Sequence, residues 1–187
     1  MKVQHLLTVL FSLALIMFVF SCGSTEEGNA GGENEFDTHG QAGVVDDVSK
    51  KNILQIAISS PDHTTLVAGV QAAELENVLV NPGPLTVFAP NNAAFEALPE
   101  GTVENLLKPE NKSTLANILT NHAAPGTYRG KLLKDGSKMY MATGNYIDVK
   151  VEGEDVFIGG AKILATIDAA NGVIHVIDKV LVPEEKK

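Results

Sequence analysis

The chain of 187 residues has no tryptophan, three tyrosines and a single cysteine, and its 23 acids outnumber its 14 lysines and arginines. Each scarcity excludes something. One cysteine forbids an intrachain disulfide, so the core alone must hold the fold together. A net charge of −9 leaves no basic patch to grip a phosphate backbone, which excludes nucleic acid as a partner and argues against direct docking on anionic lipid. The excess acid is a solubility device and names no partner. Five histidines and one cysteine form no HxxxH, HExxH or CxxC pattern, so neither a metal site nor a cofactor is expected. No GxSxG elbow is present either, and no enzyme is expected. The longest apolar run, Leu6 to Phe20, has 15 residues, short of the ~20 that cross a bilayer as a helix.

What is present begins with that run. It follows Lys2 and ends at Ser21-Cys22-Gly23, which reads as a signal peptide over residues 1–21. A small residue directly before the only cysteine resembles a bacterial lipoprotein processing site, with lipid added to Cys22. The alternative is an ordinary signal peptide cleaved nearby. Removing residues 1–21 takes away Lys2 and no acid, which leaves a charge of −10. Residues 22–45 form a tether rich in Gly and acids, too poor in large apolar residues to offset its ordering entropy. Such a leash reaches roughly 25 Å. Glu26 and Glu27 resemble the surface-export signals of some Gram-negative lipoproteins, or serve only as linker solubility. The expected location is the cell envelope, lipid-anchored to the outer membrane, with outward display and a periplasmic orientation as the two alternatives and the membrane as partner through Cys22.

Residues 46–187 then read as one domain, helices first and strands second. Ile53, Ile56 and Ala57 give a helical stripe, and Ser60 is expected to cap a second helix with Pro61 at its first position. Helical turns follow around Val103–Leu107 and from Asn111, with Leu115, Ile118, Leu119 and His122 on one face. Residues 146–151 alternate strictly, Gly153 turns the chain, and strands are expected at 156–158, 162–167 and 173–182. Helices folded onto antiparallel strands make an α+β arrangement.

Two segments carry more information than the rest. TVFAPNNAAF (Thr86 to Phe95) is a strand that stops at Pro90 and turns into a short helix, with Asn91 and Asn92 as cap residues and Phe95 and Leu98 on one face. NGVIHVIDKVLVP (Asn171 to Pro183) is β-branched and apolar on both faces, as a sheet interior requires. Together they resemble the signature segments of the fasciclin domain, over roughly Lys50 to Pro183. The resemblance implies a wedge of two sheets with helices along one side. It also implies an adhesion and interaction module contacting a protein or polysaccharide at the cell surface. The matching motif positions are Thr86, Phe88, Pro90, Asn92, Phe95, His122 and His175, all read as structural.

This chain departs from the family pattern in two places. Asn121 stands where a tyrosine commonly precedes the histidine of NHAAPG, a region implicated in receptor binding in some animal members. Asn92 stands where aspartate is frequent; a capping role survives that change and a charge-dependent one does not.

Three further clusters have bland readings. His175 and Asp178 lie three apart in a strand and so point to opposite faces. Ser60, Asp62 and His63 supply the residue types of a hydrolase triad but sit in a helix start, so capping is the expected role. Glu152, Glu154 and Asp155 surround Gly153 without the spacing of a calcium loop. The alternative to adhesion is a periplasm-facing accessory or small apolar ligand-binding lipoprotein. That reading requires a concave apolar pocket with a few polar groups, where an adhesin requires an exposed patch.

Overall fold

The structure is a computed structural model that describes residues 50–183. The leader, Cys22 and the tether lie outside the described residues.

The described chain opens with α1 (Ile53–Ile58), closed at its start by a reciprocal capping box. Asn52 Oδ1 accepts the Gln55 N–H at 2.9 Å while Gln55 Oε1 accepts the Asn52 N–H at 3.0 Å. A 3-10 turn over Pro61–His63 leads into α2 (Thr64–Ala72), and α3 (Glu76–Val80) follows. Strand β1 (Leu85–Pro90) runs into α4 (Asn92–Glu96); α5 (Thr102–Leu106) and α6 (Lys112–Thr120) complete the helices. The remaining strands are β2 (Ala123–Pro125), β3 (Lys138–Tyr140), β4 (Tyr146–Glu152), β5 (Asp155–Ile158), β6 (Ala161–Ala169) and β7 (Gly172–Ile177).

The seven strands are ordered β2-β1-β7-β6-β5-β4-β3. Beyond β3, the Ala142 N–H donates to the Ala123 carbonyl of β2 at 2.7 Å, which draws the two ends of the order together into a near-barrel wedge. The fold is α+β, as the sequence implies. The sheet is mixed rather than antiparallel, because β1 and β7 pair in parallel from Leu85↔Gly172 to Pro90↔Ile177. A Cβ on Gly172 would lie 1.9 Å from the Leu85 carbonyl oxygen, so only glycine lets this pairing begin.

Strands β1 and β7 form a wall shared by two cores. Val87 and Ala89 face the helix-side core with Ile53, Leu66, Leu119 and Ile174. Phe88 faces the strand-side core with Met141, Ile158 and Ile177. Burial on both faces explains the unbroken apolar runs of these two strands. Strand β7 stops at Ile177, short of the expected 182: the Asp178 N–H still donates to the Lys162 carbonyl at 3.2 Å, but the Lys162 N–H goes to Asp178 Oδ1 at 2.7 Å in place of a strand carbonyl. That Oδ1 is thus occupied by backbone and is not a partner for His175.

Candidate functional site

The helix-side core is incompletely filled. A cavity of about 230 Å³ lies among α1, α2, α3, α6 and the β1–β7 wall, bordered by Leu54, Val70, Leu79, Val87, Leu119 and Ile174 among others. Among the described residues its polar neighbours are few: Ser60, His63, Thr120 and His122, none of them an acid, lysine or arginine.

Three of the four are satisfied. Thr120 donates back to the Ala116 carbonyl at 2.7 Å. His122 has both ring nitrogens engaged: Nδ1 bonds the Ile118 carbonyl at 2.8 Å, and Nε2 accepts the Leu181 N–H at 2.8 Å. A carbonyl can only accept and an amide can only donate, so the ring must be the neutral Nδ1–H tautomer. Burial pushes its pKa down to about 4, against a smaller upward pull from the Ile118 carbonyl. His122 is buried as its spacing implies, but it sits one residue beyond the cap of α6 rather than on the helix. Asn121 beside it donates Nδ2–H to the Leu181 carbonyl at 3.1 Å and accepts the Thr143 hydroxyl at 2.9 Å. Consecutive side chains therefore clasp both backbone groups of Leu181.

His63 is different. Its Nδ1 lies 2.7 Å from the Ser60 hydroxyl, while Nε2 is buried with no hydrogen-bond partner among the described residues. Burial lowers its pKa, opposed by the charge of Asp62, so the ring is neutral at pH 7. Ser60 does not cap the helix with its side chain as expected, since its hydroxyl is taken by the imidazole. In a triad the acid would bond the ring nitrogen remote from the serine, and that is the unpartnered one.

The motif positions form a framework around β1. Thr86 donates its hydroxyl to the Gly126 carbonyl at 2.8 Å and accepts the Tyr128 N–H at 2.9 Å. Phe88 stacks on His175, ring centroids 5.4 Å apart, and its N–H donates to the His122 carbonyl at 2.8 Å. His175 Nε2–H donates to the Tyr128 carbonyl at 2.7 Å and Nδ1 accepts the Thr166 hydroxyl at 2.9 Å, the opposite tautomer to His122. Its pKa is lowered, chiefly by burial. Pro90 ends β1, and Phe95 packs half-buried on the helix-side core.

The two asparagines after Pro90 divide the capping between two helices. Asn91 Oδ1 accepts the Ala94 N–H at 2.9 Å and caps α4. Asn92, also expected to cap that helix, instead reaches α2: Oδ1 accepts from the Thr65 N–H at 3.1 Å and the Thr64 hydroxyl at 3.2 Å, and Nδ2 donates to the Pro61 carbonyl at 3.0 Å. An aspartate there would set a carboxylate oxygen against that carbonyl. Asn171, the first residue of the second signature segment, is a second bracket. It accepts the Ile53 N–H at 3.0 Å and donates to the carbonyls of Leu79 (2.8 Å) and Asn81 (3.1 Å). The Asn-Gly pair between two strands was the available signal for a turn there.

On the outer surface, Tyr140 of β3 and Tyr146 of β4 are cross-strand partners with ring centroids 5.2 Å apart, and they are 46% and 66% exposed. Among the described residues, no group of three or more His, Cys, Asp or Glu side chains could hold a metal ion.

The fasciclin domain family model matches residues 61–183, two thirds of the chain. The chain belongs to the fasciclin domain family. It is 46% identical to the Synechocystis protein sll1483 over 136 residues, covering 72% of this chain and 75% of that one. It is 32% identical to the Mycobacterium bovis immunogenic protein MPB70 over 148 residues, covering 74% and 72%. It is 33% identical to the pig transforming growth factor-beta-induced protein ig-h3 over 160 residues, but spans only 23% of that protein. A solved FAS1 domain pair from the insect cell adhesion molecule fasciclin I matches the fold with a TM-score of 0.63 at 19% identity, over 72% of this chain and 52% of that one. The fasciclin wedge is thus reached both from residues and from shape.

Proposed function

We propose that this fasciclin domain is a non-enzymatic interaction module, carried on the cell envelope by lipid on Cys22 and mediating contact with a neighbouring surface or matrix. The observation that carries the reading is the exposed Tyr140–Tyr146 pair on the β3–β4 hairpin. Tyrosine supplies large, stiff contact area with a polar tip, and an exposed cross-strand pair is a ready anchor for a protein or polysaccharide. Membership of a family that includes an insect cell adhesion molecule supports the same reading. A single small contact is weak, so many copies on one surface act through avidity.

The test is attachment of cells bearing the whole chain. Cys22→Ser should abolish attachment while the released domain still folds, and a Tyr140→Ser/Tyr146→Ser double variant should weaken it without loss of surface protein. Normal attachment by either would overturn the corresponding half of the reading. A non-permeant protease on intact cells reports the orientation: loss of the domain supports outward display, and protection until lysis argues for the periplasm. The helix-side cavity favours a second reading, in which the domain binds a small apolar molecule.

A further inference from the structure

We propose that the helix-side cavity is a binding site for a small, uncharged, apolar alcohol whose hydroxyl bonds Nε2 of His63. The inference rests on the ligand-binding reading and names the class of ligand. Three observations converge on it.

The first is size. An engineered cavity of roughly 150 Å³ holds benzene, so 230 Å³ takes about nine non-hydrogen atoms. Val78 and Ile167 border the cavity and are also exposed, so its rim meets solvent between α3 and β6.

The second is charge. No charged side chain among the described residues borders the cavity, so an ion inside would find nothing there to offset its lost hydration. Carboxylates and ammonium compounds are excluded on that ground, and an apolar body is favoured by the aliphatic walls.

The third is the polar complement. Thr120 and His122 spend their hydrogen bonds within the protein, and Ser60 spends its own on His63. Among the described residues that border the cavity, only Nε2 of His63 is left without a partner, on a residue 5% exposed. A buried unpaired nitrogen costs free energy that a bound polar atom would recover. If the Ser60 hydroxyl donates to Nδ1, Nε2 carries the proton; if Nδ1–H donates to Ser60, Nε2 offers its lone pair. A hydroxyl answers either state, because it both donates and accepts. A carbonyl or an ether answers only one.

Benzyl alcohol and ethylbenzene have nearly the same shape and differ by a hydroxyl in place of a methyl, so they isolate this contact. The whole chain is titrated with each, followed by NMR of the cavity-lining methyl groups and of the His63 ring nitrogens. In the wild type, benzyl alcohol should bind at least as tightly as ethylbenzene and shift the Nε2 resonance, which ethylbenzene leaves in place. In His63→Leu the preference should swing toward ethylbenzene by about tenfold or more, because the hydroxyl is then desolvated without a partner. The wild-type ring signal needs no variant and stands if His63→Leu fails to fold. Binding of both probes with Nε2 unmoved and the preference unchanged would remove the His63 anchor and leave the cavity as a binding site. No shift of any lining methyl with either probe would remove the ligand-binding reading as well.

Discussion

His122 and His63 border the same cavity from different sides, and their surroundings differ in how completely the ring is used. His122 gives both nitrogens to backbone, one to the end of α6 and one to Leu181, and with Asn121 it fixes the chain after β7 against the helix that precedes β2. His63 gives one nitrogen to a serine three residues away and leaves the other unpaired. The first arrangement spans 59 residues of sequence and ties two distant segments together; the second is local and ties nothing. Burial alone is therefore a poor guide to what a histidine does. The partners of its second nitrogen separate a structural staple from a candidate contact.

The comparison breaks most severely at His122. Replacement by leucine keeps the bulk but leaves the Leu181 N–H and the Ile118 carbonyl without their partner, and each such loss costs about 1 to 3 kcal/mol. We expect a total loss of about 3 to 4 kcal/mol in denaturant unfolding, together with faster hydrogen exchange at the Leu181 amide. A midpoint unmoved from wild type would show that the clasp contributes nothing.

Acid attacks the same contact. The folded pKa of His122 is about 4, below its ordinary 6.5, so the unfolded chain binds the proton first. Stability from this group is fully present above pH 6.5 and is lost as the pH falls from there through about 4, by at most about 3 kcal/mol. His175 and His63, also lowered by burial, add in the same direction. His122→Gln, which keeps a donor and an acceptor but does not titrate, should flatten the profile over that window. Identical pH profiles for variant and wild type would assign the acid sensitivity elsewhere.

How much of this could be read in the residues differs between the two sites. The β1–α4 turn, the β4–β5 alternation and the shared wall of β1 and β7 follow from local pattern: a proline after a strand, polar residues at every second position, and β-branched runs apolar on both faces. The parallel pairing of β1 with β7 does not, because it joins residues nearly ninety apart and depends on Gly172 admitting the Leu85 carbonyl. His122 was legible as buried, but its bond to Leu181 was not, since the strand was expected to run on to residue 182. Asn92 and Ser60 had the right chemistry for caps of the helices they precede, but Asn92 reaches across space to the start of α2 and Ser60 is taken by the nearby His63 ring. The cavity was invisible in the sequence; a set of aliphatic residues at helical spacing says that a core exists, not that it is full.

A smaller effect is expected at Asn121. Asn121→Ala removes the bonds to the Leu181 carbonyl and the Thr143 hydroxyl, a loss of about 2 kcal/mol. A double-mutant cycle with His122→Leu should show coupling of more than about 0.5 kcal/mol, because both side chains hold one residue. Strict additivity would mean that the two contacts act separately and that the clasp is no unit.

The smallest effect should have the opposite sign. Histidine to phenylalanine at position 63 removes the unpaired nitrogen, gives up one bond to a half-exposed serine, and adds apolar volume at the edge of an underfilled cavity. Losing an unsatisfied buried polar atom and filling space are both stabilising, while the bond to Ser60 is worth about 1 kcal/mol. The balance is a gain of about 1 kcal/mol in thermal or urea unfolding of the ligand-free chain. At His122 the same substitution strands two backbone groups and should cost several kcal/mol. One exchange with two signs is the sharpest form of the contrast, because it holds residue type constant and varies only the surroundings. Loss of stability at both positions would mean that Nε2 of His63 is satisfied in the folded chain, and the distinction between staple and contact would then disappear.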